Sequence, residues 1–391
     1  MDINVIESSG SNEWDHELSK TNAGVFLTYA WLDALNSNES QPVYLKFLSV
    51  NKVVGFIAGL IRPIRNSTQK QLFFYSGPAC ADKDPVLFDE CRKALLDYAK
   101  TNGFQRLTMH SYDVSFYVKT SVNKFTTRDR SEYFLDLTPD FEEFEGLIDR
   151  DTRRRIRKAK KNGVVFGSGY SDELLDILLF LMKSTFDVRL SKDYDNYNMF
   201  SMQFLDRQVM KRLLDSRIAT LYYAKFADET CMSTAHSKGN ENANSGKFHQ
   251  TNNLTKSFSD EIVSIQFVVA VNQRAYGIYM GTNALGYKMA APSLLFYEIA
   301  HSCKQMGFHH YNIGGVPLGE KNEGIRGFKK SLGAKTIQSC EETTDFLLPP
   351  LKRLNIFLST KRALMNFHIP WQIKKQLLKV LNIFLKDRDQ Y

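Results

Sequence analysis

The chain has 391 residues, 43% of them hydrophobic and 24% charged, an ordinary globular composition that excludes collagen-like, mucin-like and wholly disordered chains. At about 150 residues per domain it has room for two or three. Lys and Arg number 51 against 43 Asp and Glu, a net charge of +8, so the place of that excess matters more than its size.

Aromatic residues reach 13%, which suggests stacked sheets and grooves rather than a plain helix bundle. The cysteines (Cys80, Cys91, Cys231, Cys303 and Cys340) are odd in number and contain no Cys-x-x-Cys pair. This argues against a disulfide framework or a zinc cage, so no metal is expected and a reducing compartment is. The acidic N-terminus lacks a charged segment followed by an apolar stretch, and no signal peptide is expected. Apolar runs such as 176–182 and 265–271 are far short of the ~20 residues of a membrane span. A cytoplasmic location follows as the expectation.

In chain order, Val43 to Val50 reads as a strand, Asn51-Lys52 as a hairpin turn, and Val53 to Ile61 as the returning strand. Leu72 to Tyr75 is a third strand, closed by the turn Ser76-Gly77-Pro78. A helix is expected from Pro85 to Lys100, ended by Asn102-Gly103, and then a strand from Phe104 to Met109. Asp149 to Gly163 reads as a basic helix with acids at its start and a glycine stop. Further helices are expected over Asp172 to Phe186 and Met199 to Asp215.

The first plan then repeats. Ile218 to Phe226 and Thr230 to His236 flank the turn Ala227-Asp-Glu229, and Ala275 to Met280 is a strand. Pro292 opens a helix that runs to Met306 and is closed by Gly307, and His309 to Ile313 is a strand. Two copies of this plan imply a duplicated α/β unit. Gly239 to Asp260, rich in Asn, Ser, Gly and Thr, reads as an inserted loop. Beyond Pro349-Pro350 the chain turns basic and helical, and Pro370 divides it into two amphipathic pieces. That tail packs on the body or a second subunit, or lies on an anionic membrane.

Three runs in the second copy are distinctive: residues 286–307, then His309-His-Tyr-Asn-Ile-Gly-Gly315, then Gly324-Ile-Arg-Gly-Phe-Lys-Lys-Ser-Leu-Gly333. With the preceding Arg153-Arg-Arg-Ile-Arg-Lys-Ala-Lys-Lys-Asn-Gly163 and the Ser76-Gly77-Pro78 turn, they resemble the Fem-type (FemAB-like) acyltransferases over about residues 20 to 345. The resemblance implies mixed α/β sheets in two tandem GNAT-like domains, at 1–145 and 146–348, with a helical tail at 349–391. It also implies transfer of an aminoacyl group from aminoacyl-tRNA to a peptidoglycan precursor, or of an acyl group from acyl-CoA to an amine. Lys329 matches a position where that family keeps a lysine near the reacting carbonyl; the plain alternative is a solvated lysine on a short helix.

Acyl transfer to an amine passes through a tetrahedral oxyanion and needs donors aimed at that oxygen, a proton acceptor and a groove for the donor's long arm. Glu298 is the candidate proton acceptor, and Tyr311 and Asn312 end a strand beside glycines, as cleft-lining residues do, Tyr311 as a candidate catalytic and Asn312 as a candidate substrate-binding residue. Gly281, Thr282, Asn283, Gly286, Tyr287 and Lys288 lie between a strand and a helix start, where backbone N–H groups suit phosphates. This stretch departs from the usual GNAT pyrophosphate pattern, and a bland strand-to-helix connection is its other reading. Arg153 and Arg157, at i, i+4, are the candidate phosphate clamp, with Gly77 a candidate contact in the first copy. The basic helix fits phosphates of a tRNA, a nucleotide-linked sugar or an anionic lipid, or is a solvated linker.

Adjacent His309 and His310 point to opposite faces of a strand and make a poor metal pair. No Gly-x-Ser-x-Gly elbow and no Walker motif is present, which sets aside serine hydrolases and P-loop NTPases. In the family it resembles, tRNA-using members often carry a long helical-hairpin arm in the second domain; no paired heptad helices are visible here, so the resemblance favours acyl-CoA over aminoacyl-tRNA as co-substrate. The acceptor expected is the amine of a cell-envelope precursor or a polysaccharide amino sugar, attacked without a covalent enzyme intermediate. A non-catalytic GNAT-like pair that binds a phosphorylated ligand or nucleic acid through the basic helix is the alternative.

Overall fold

The computed structural model describes residues 2–21, 23–64, 68–80, 84–114, 125–190, 202–227, 261–317, 322–346 and 376. Cys231, the expected strand at 230–236, the loop at 239–260 and the tail after Pro349-Pro350, residue 376 apart, lie outside them.

The first half carries β1 (Asn4–Ser8), α1 (Asn12–Leu18), a 3-10 turn (Val25–Leu27), α2 (Tyr29–Leu35), β2 (Gln41–Ser49), β3 (Lys52–Pro63), β4 (Lys70–Phe74), β5 (Ala79–Cys80), α3 (Pro85–Thr101), β6 (Arg106–His110) and β7 (Thr126–Asp136). Then come α4 (Phe141–Leu147), α5 (Arg150–Lys161), β8 (Val164–Gly169), α6 (Asp172–Leu190), α7 (Arg207–Asp215), β9 (Ala219–Phe226), β10 (Ile262–Val271) and β11 (Arg274–Thr282). They are followed by α8 (Ala284–Lys288), α9 (Ala291–Gln305), β12 (His310–Pro317), α10 (Glu323–Ser331) and β13 (Lys335–Asp345).

Local chemistry accounts for several boundaries. The β2–β3 hairpin turns through Val50 and Asn51, both at positive φ as a primed two-residue turn requires. In α3, Asp84 accepts from the Val86 N–H, Pro85 occupies the first turn, and Gly103 at φ 73° follows the stop. Asp206 caps α7 by accepting from the Val209 N–H at 2.9 Å. That cap is why the helix expected from Met199 begins only at Arg207.

The thirteen strands of the described residues join one sheet, in the order β1-β2-β3-β4-β6-β13-β7-β12-β11-β10-β9-β8, with β5 on β3. Each half is antiparallel except for one parallel join, β4 with β6 and β11 with β12. The last strand of the described residues, β13, lies between β6 and β7 and is antiparallel to both, and β7 passes on to β12. The halves therefore share a continuous backbone ladder. Ile218 to Phe226 finds its partner in β10, whose first eight residues are buried. A run that reads only as apolar thus forms a central strand of the second half, as a strand covered on both faces does.

One core crosses between the halves, joining Trp14, Phe26, Trp31 and Phe73 to Leu178 of α6 and Met210 of α7. The second packs Tyr133, Ile156, Leu294, Leu295 and Tyr311 under α4, α5 and α9.

Candidate active site

β11 and β12 pair in parallel only from Arg274–Tyr276 with His310–Asn312. Beyond this β12 shifts register and continues against β7, so the two strands part at Gly277 and Ile313. Gly314 sits at this divergence with φ +85°, and a side chain there would meet the Gly277 carbonyl at 3.3 Å. Only glycine adopts that conformation without strain.

Lys329 reaches this point from the last turn of α10. It is 8% exposed, and its Nζ donates to the Ile313 and Gly314 carbonyl oxygens, each at 2.8 Å. The ammonium lies 5.6 Å from the centre of the Tyr133 ring. It is not a solvated lysine. Burying a cation is expensive unless its hydrogen bonds are met, and the strand end supplies them. α10 is fixed in turn from α5: Thr152 Oγ1 bonds Ser331 Oγ at 2.8 Å, and the Asp149 N–H donates to the Ser331 carbonyl.

The other expected site residues are dispersed. Tyr311 is fully buried, and its hydroxyl donates to Gln266 Oε1 at 2.7 Å. Burial pushes that phenol well above its ordinary value, so it is a poor proton carrier and a good anchor for Gln266. Asn312 turns to the opposite face, into a buried cluster of charge, and does not line an open cleft. Glu298 pairs with Lys160 of α5 at 2.8 Å, which places its carboxylate at the contact between α9 and α5.

The expected phosphate loop is for the most part packed on the protein itself. A side chain at Gly281 would collide with Leu181 of α6 at 2.6 Å, and one at Gly286 with the Val263 carbonyl at 2.4 Å. These glycines admit neighbouring chain, not a cofactor. Thr282 is buried with its hydroxyl 2.8 Å from Ser264 Oγ, and Asn283 caps α8 through the Gly286 N–H. Tyr287 and Lys288 reach solvent. Lys158 of α5 donates to the Lys288 carbonyl at 3.2 Å, just ahead of α9, whose N-cap Ala290 is left-handed and has no side-chain cap.

On α5, Thr152, Ile156 and Ala159 are buried, and Arg150, Arg154, Arg155, Arg157, Lys158, Lys160 and Lys161 are exposed. The helix carries eight cations and one acid, +7 of the chain's net +8. Among the described residues only Lys160 of this helix meets a carboxylate. The Arg153–Arg157 clamp is not formed: Arg153 is half-buried and donates to the Glu145 carbonyl of α4 at 3.1 Å, whereas Arg157 faces solvent.

The corresponding region of the first half is filled. Gly77 is buried, its Cβ position 3.2 Å from the Phe88 ring, and behind β4 and β6 Phe26, Trp31, Tyr75 and Phe73 pack edge to face while His110 tilts against Phe73 and Tyr112. Burial in this cluster pushes the His110 imidazole down from 6.5 to about 4, with Glu341 opposing and Arg130 and Arg128 assisting. The unfolded chain therefore takes up a proton near pH 6.5 that the folded chain refuses until about pH 4. The stability contributed is complete above pH 6.5 and falls by about 3 kcal/mol on acidification through that window. In urea unfolding between pH 7 and 4, His110→Phe is expected to flatten this limb by that amount.

Sequence reading overlooked the charged residues gathered beside the divergence. They are Asp113, Arg130, Glu132 and Arg274, together with Tyr276 and Gln266. Among the described residues no cluster of His, Cys, Asp and Glu could hold a metal ion, and no helix is long and apolar enough to cross a membrane.

Two α/β halves in one mixed sheet make up a fold shared with the solved structure of FemX. The chain is similar to the crystal structure of FemX with a TM-score of 0.62 at 12% identity, over 90% of this chain and 99% of that one. It is also similar, at a TM-score of 0.50 and 11% identity, to a conserved protein of unknown function from Bacteroides thetaiotaomicron, over 88% of this chain and 100% of that one. A tandem GNAT protein from the clavulanic acid biosynthesis pathway aligns at a TM-score of 0.46 and 10% identity, over 89% of this chain and 99% of that one. No protein-family model and no curated protein matches the sequence.

Proposed function

We propose that this protein is an N-acyltransferase that moves an acyl or aminoacyl group onto an amine at the divergence of β11 and β12. The observation that carries the reading is the buried Lys329 ammonium, held by two main-chain oxygens at the point where the strands part. In the reaction the amine nitrogen bonds to the donor's carbonyl carbon, and the carbonyl oxygen takes up negative charge. The thioester or ester bond then breaks, and the amine's proton leaves with the departing group or to solvent. A fixed cation beside that oxygen stabilises the charge as it forms and needs no rearrangement to do so.

The donor is acyl-CoA or aminoacyl-tRNA; both carry phosphate. The start of α9, with Lys158 beside it, suits a phosphate better than the packed Gly281 and Gly286 do. The exposed cations of α5 suit a phosphate-bearing donor or acceptor. The acceptor is an amine of a cell-envelope precursor or polysaccharide amino sugar, free or lipid-linked. Such a precursor would bring the protein to the inner face of the membrane. Residues 1–145 and 146–348 act as a supporting and a working half, with Tyr311 and Asn312 as structural supports of the strand end.

Thermal-shift measurements with acyl-CoAs, charged tRNA and nucleotide sugars test the reading. At least one donor class is expected to raise the melting temperature in a concentration-dependent way. A complete absence of stabilisation across the panel counts against the proposal.

A further inference from the structure

A body of buried charge lies where the two halves meet, next to the divergence, and acyl transfer as described makes no use of it. Asp113, from the chain just after β6, and Glu132 of β7 are both wholly inaccessible to solvent. Arg274 of β11 grips the Asp113 carboxylate with two bonds, Nη2 to Oδ1 at 2.8 Å and Nε to Oδ2 at 3.1 Å, and also donates to the Asp113 carbonyl at 3.2 Å. Glu132 accepts from the Tyr276 hydroxyl at 2.7 Å and from the Asp113 N–H at 2.8 Å. Asp113 Oδ2 takes a further bond from the Val25 N–H.

Asp113 also stands at φ 55°, and a side chain on Gly24 would run into its carbonyl at 2.5 Å. A non-glycine residue in that region is strained and persists only where its surroundings over-determine it.

Asn312 connects this cluster to the site. Its Nδ2 donates to Glu132 Oε2 at 2.9 Å and reaches Asp113 Oδ1 at 3.4 Å, and its Oδ1 accepts from the Gly314 N–H at 2.8 Å. Both ends of the amide are engaged, one on the carboxylates and the other on the left-handed turn. The carbonyls of Ile313 and Gly314 in that turn hold Lys329. We propose that Asp113 and Glu132, acting through Asn312 and the Gly314 turn, are positioning residues that hold the Lys329 ammonium in place. The significance of that placement rests on the acyl-transfer reading. The first half of the chain thus sets the working group of the second. Burial disfavours ionised Glu132, and Arg130, Tyr276, Asp113 and Asn312 oppose that cost. Arg274 and His310 more than offset the burial of Asp113 and keep its carboxyl well below its ordinary value.

The test reads the lysine directly, without turnover. The full chain is treated with formaldehyde and a mild borohydride, and the methylation rate of each lysine is followed by peptide mass spectrometry. Lys329 is expected to react slowly in the parent. Asn312→Ala is expected to speed it about tenfold, the size of one hydrogen bond to a charged group, with Lys160 and Lys335 unchanged. Gly314→Ala, which touches neither carboxylate, is expected to do the same and serves if Asn312→Ala does not fold. Glu132→Gln keeps an oxygen for Asn312 and for the Asp113 N–H, so Lys329 is expected to stay slow; Glu132→Ala releases it.

Leu95→Ala, a core truncation on α3 away from these residues, controls for general loosening. Folded Asn312→Ala or Gly314→Ala with an unaltered Lys329 rate overturns the proposal, as does equal acceleration in Leu95→Ala. Turnover that survives Lys329→Ala would remove the catalytic role of Lys329, and absence of turnover from every donor would remove the acyl-transfer reading; either leaves this result standing, so the failures are distinguishable.

Discussion

Lys329→Ala is expected to lower kcat for acyl transfer by about 10²- to 10³-fold, the size seen when one preorganised donor to a developing oxyanion is removed. KM is expected to change little, because the interaction strengthens only as charge builds on the carbonyl oxygen, and a loss confined to kcat is the signature of such a contact. Lys329→Arg is not expected to rescue. A guanidinium is a wide planar fork, and the space between the Ile313 and Gly314 carbonyls is shaped around a compact ammonium. Removing the ammonium also leaves two carbonyl oxygens without this donor, at a cost of about 1–3 kcal/mol in stability. Rates are therefore compared well below the melting temperature of each variant. A kcat within threefold of the parent would contradict the assignment.

Arg92→Met is expected to destabilise the protein by about 3–5 kcal/mol, the range for removing one partner of a buried ion pair. Arg92 of α3 and Glu342 of β13 form an ion pair in which each side chain is 1% exposed. The loss of either leaves the other charged in the core. Replacing both, as in Arg92→Met with Glu342→Leu, is expected to recover most of the loss, since well-packed apolar residues often match a buried pair. A double-mutant cycle from urea unfolding measures this coupling. Its structural meaning is specific: β13 comes from the far end of the chain, and Glu342 fastens it to a helix of the first half. Single substitutions costing under 1 kcal/mol would show that the pair does not hold β13 there.

The sequence displays what is local. The β2–β3 hairpin, α3 with its Asp84-Pro85 start, and α9 with Pro292 in its first turn are written in turn residues, caps and periodicity. The placement of β7 and β13 is not, because it joins strands whose partners lie some two hundred residues away. Lys335 to Asp345, with Ile337 and Cys340 as its only apolar residues, shows no alternation that would mark a strand, let alone name its neighbours. The buried charges were hidden for a related reason: Arg92, Asp113 and Glu132 look like surface residues until their partners are in place.

Lys329 is visible through its surrounding motif, but its depth is not. Glycines mislead in the opposite direction. Gly281 and Gly286 lie where a phosphate loop belongs, yet each is required by a contact inside the protein, with α6 and with the Val263 carbonyl. Arg153 and Arg157 share a helix face by spacing, but the carbonyl at the end of α4 claims the first of them.

The central claim is that an activated acyl group is passed to an amine beside Lys329. The most direct measurement is mass spectrometry of amine acceptors incubated with the purified protein and a panel of acyl-CoAs and aminoacyl-tRNAs, with parent and Lys329→Ala run side by side. The account predicts an acceptor heavier by one acyl group with the parent and only a trace of it with the variant. No product from any donor, or equal product from the two proteins, would contradict it.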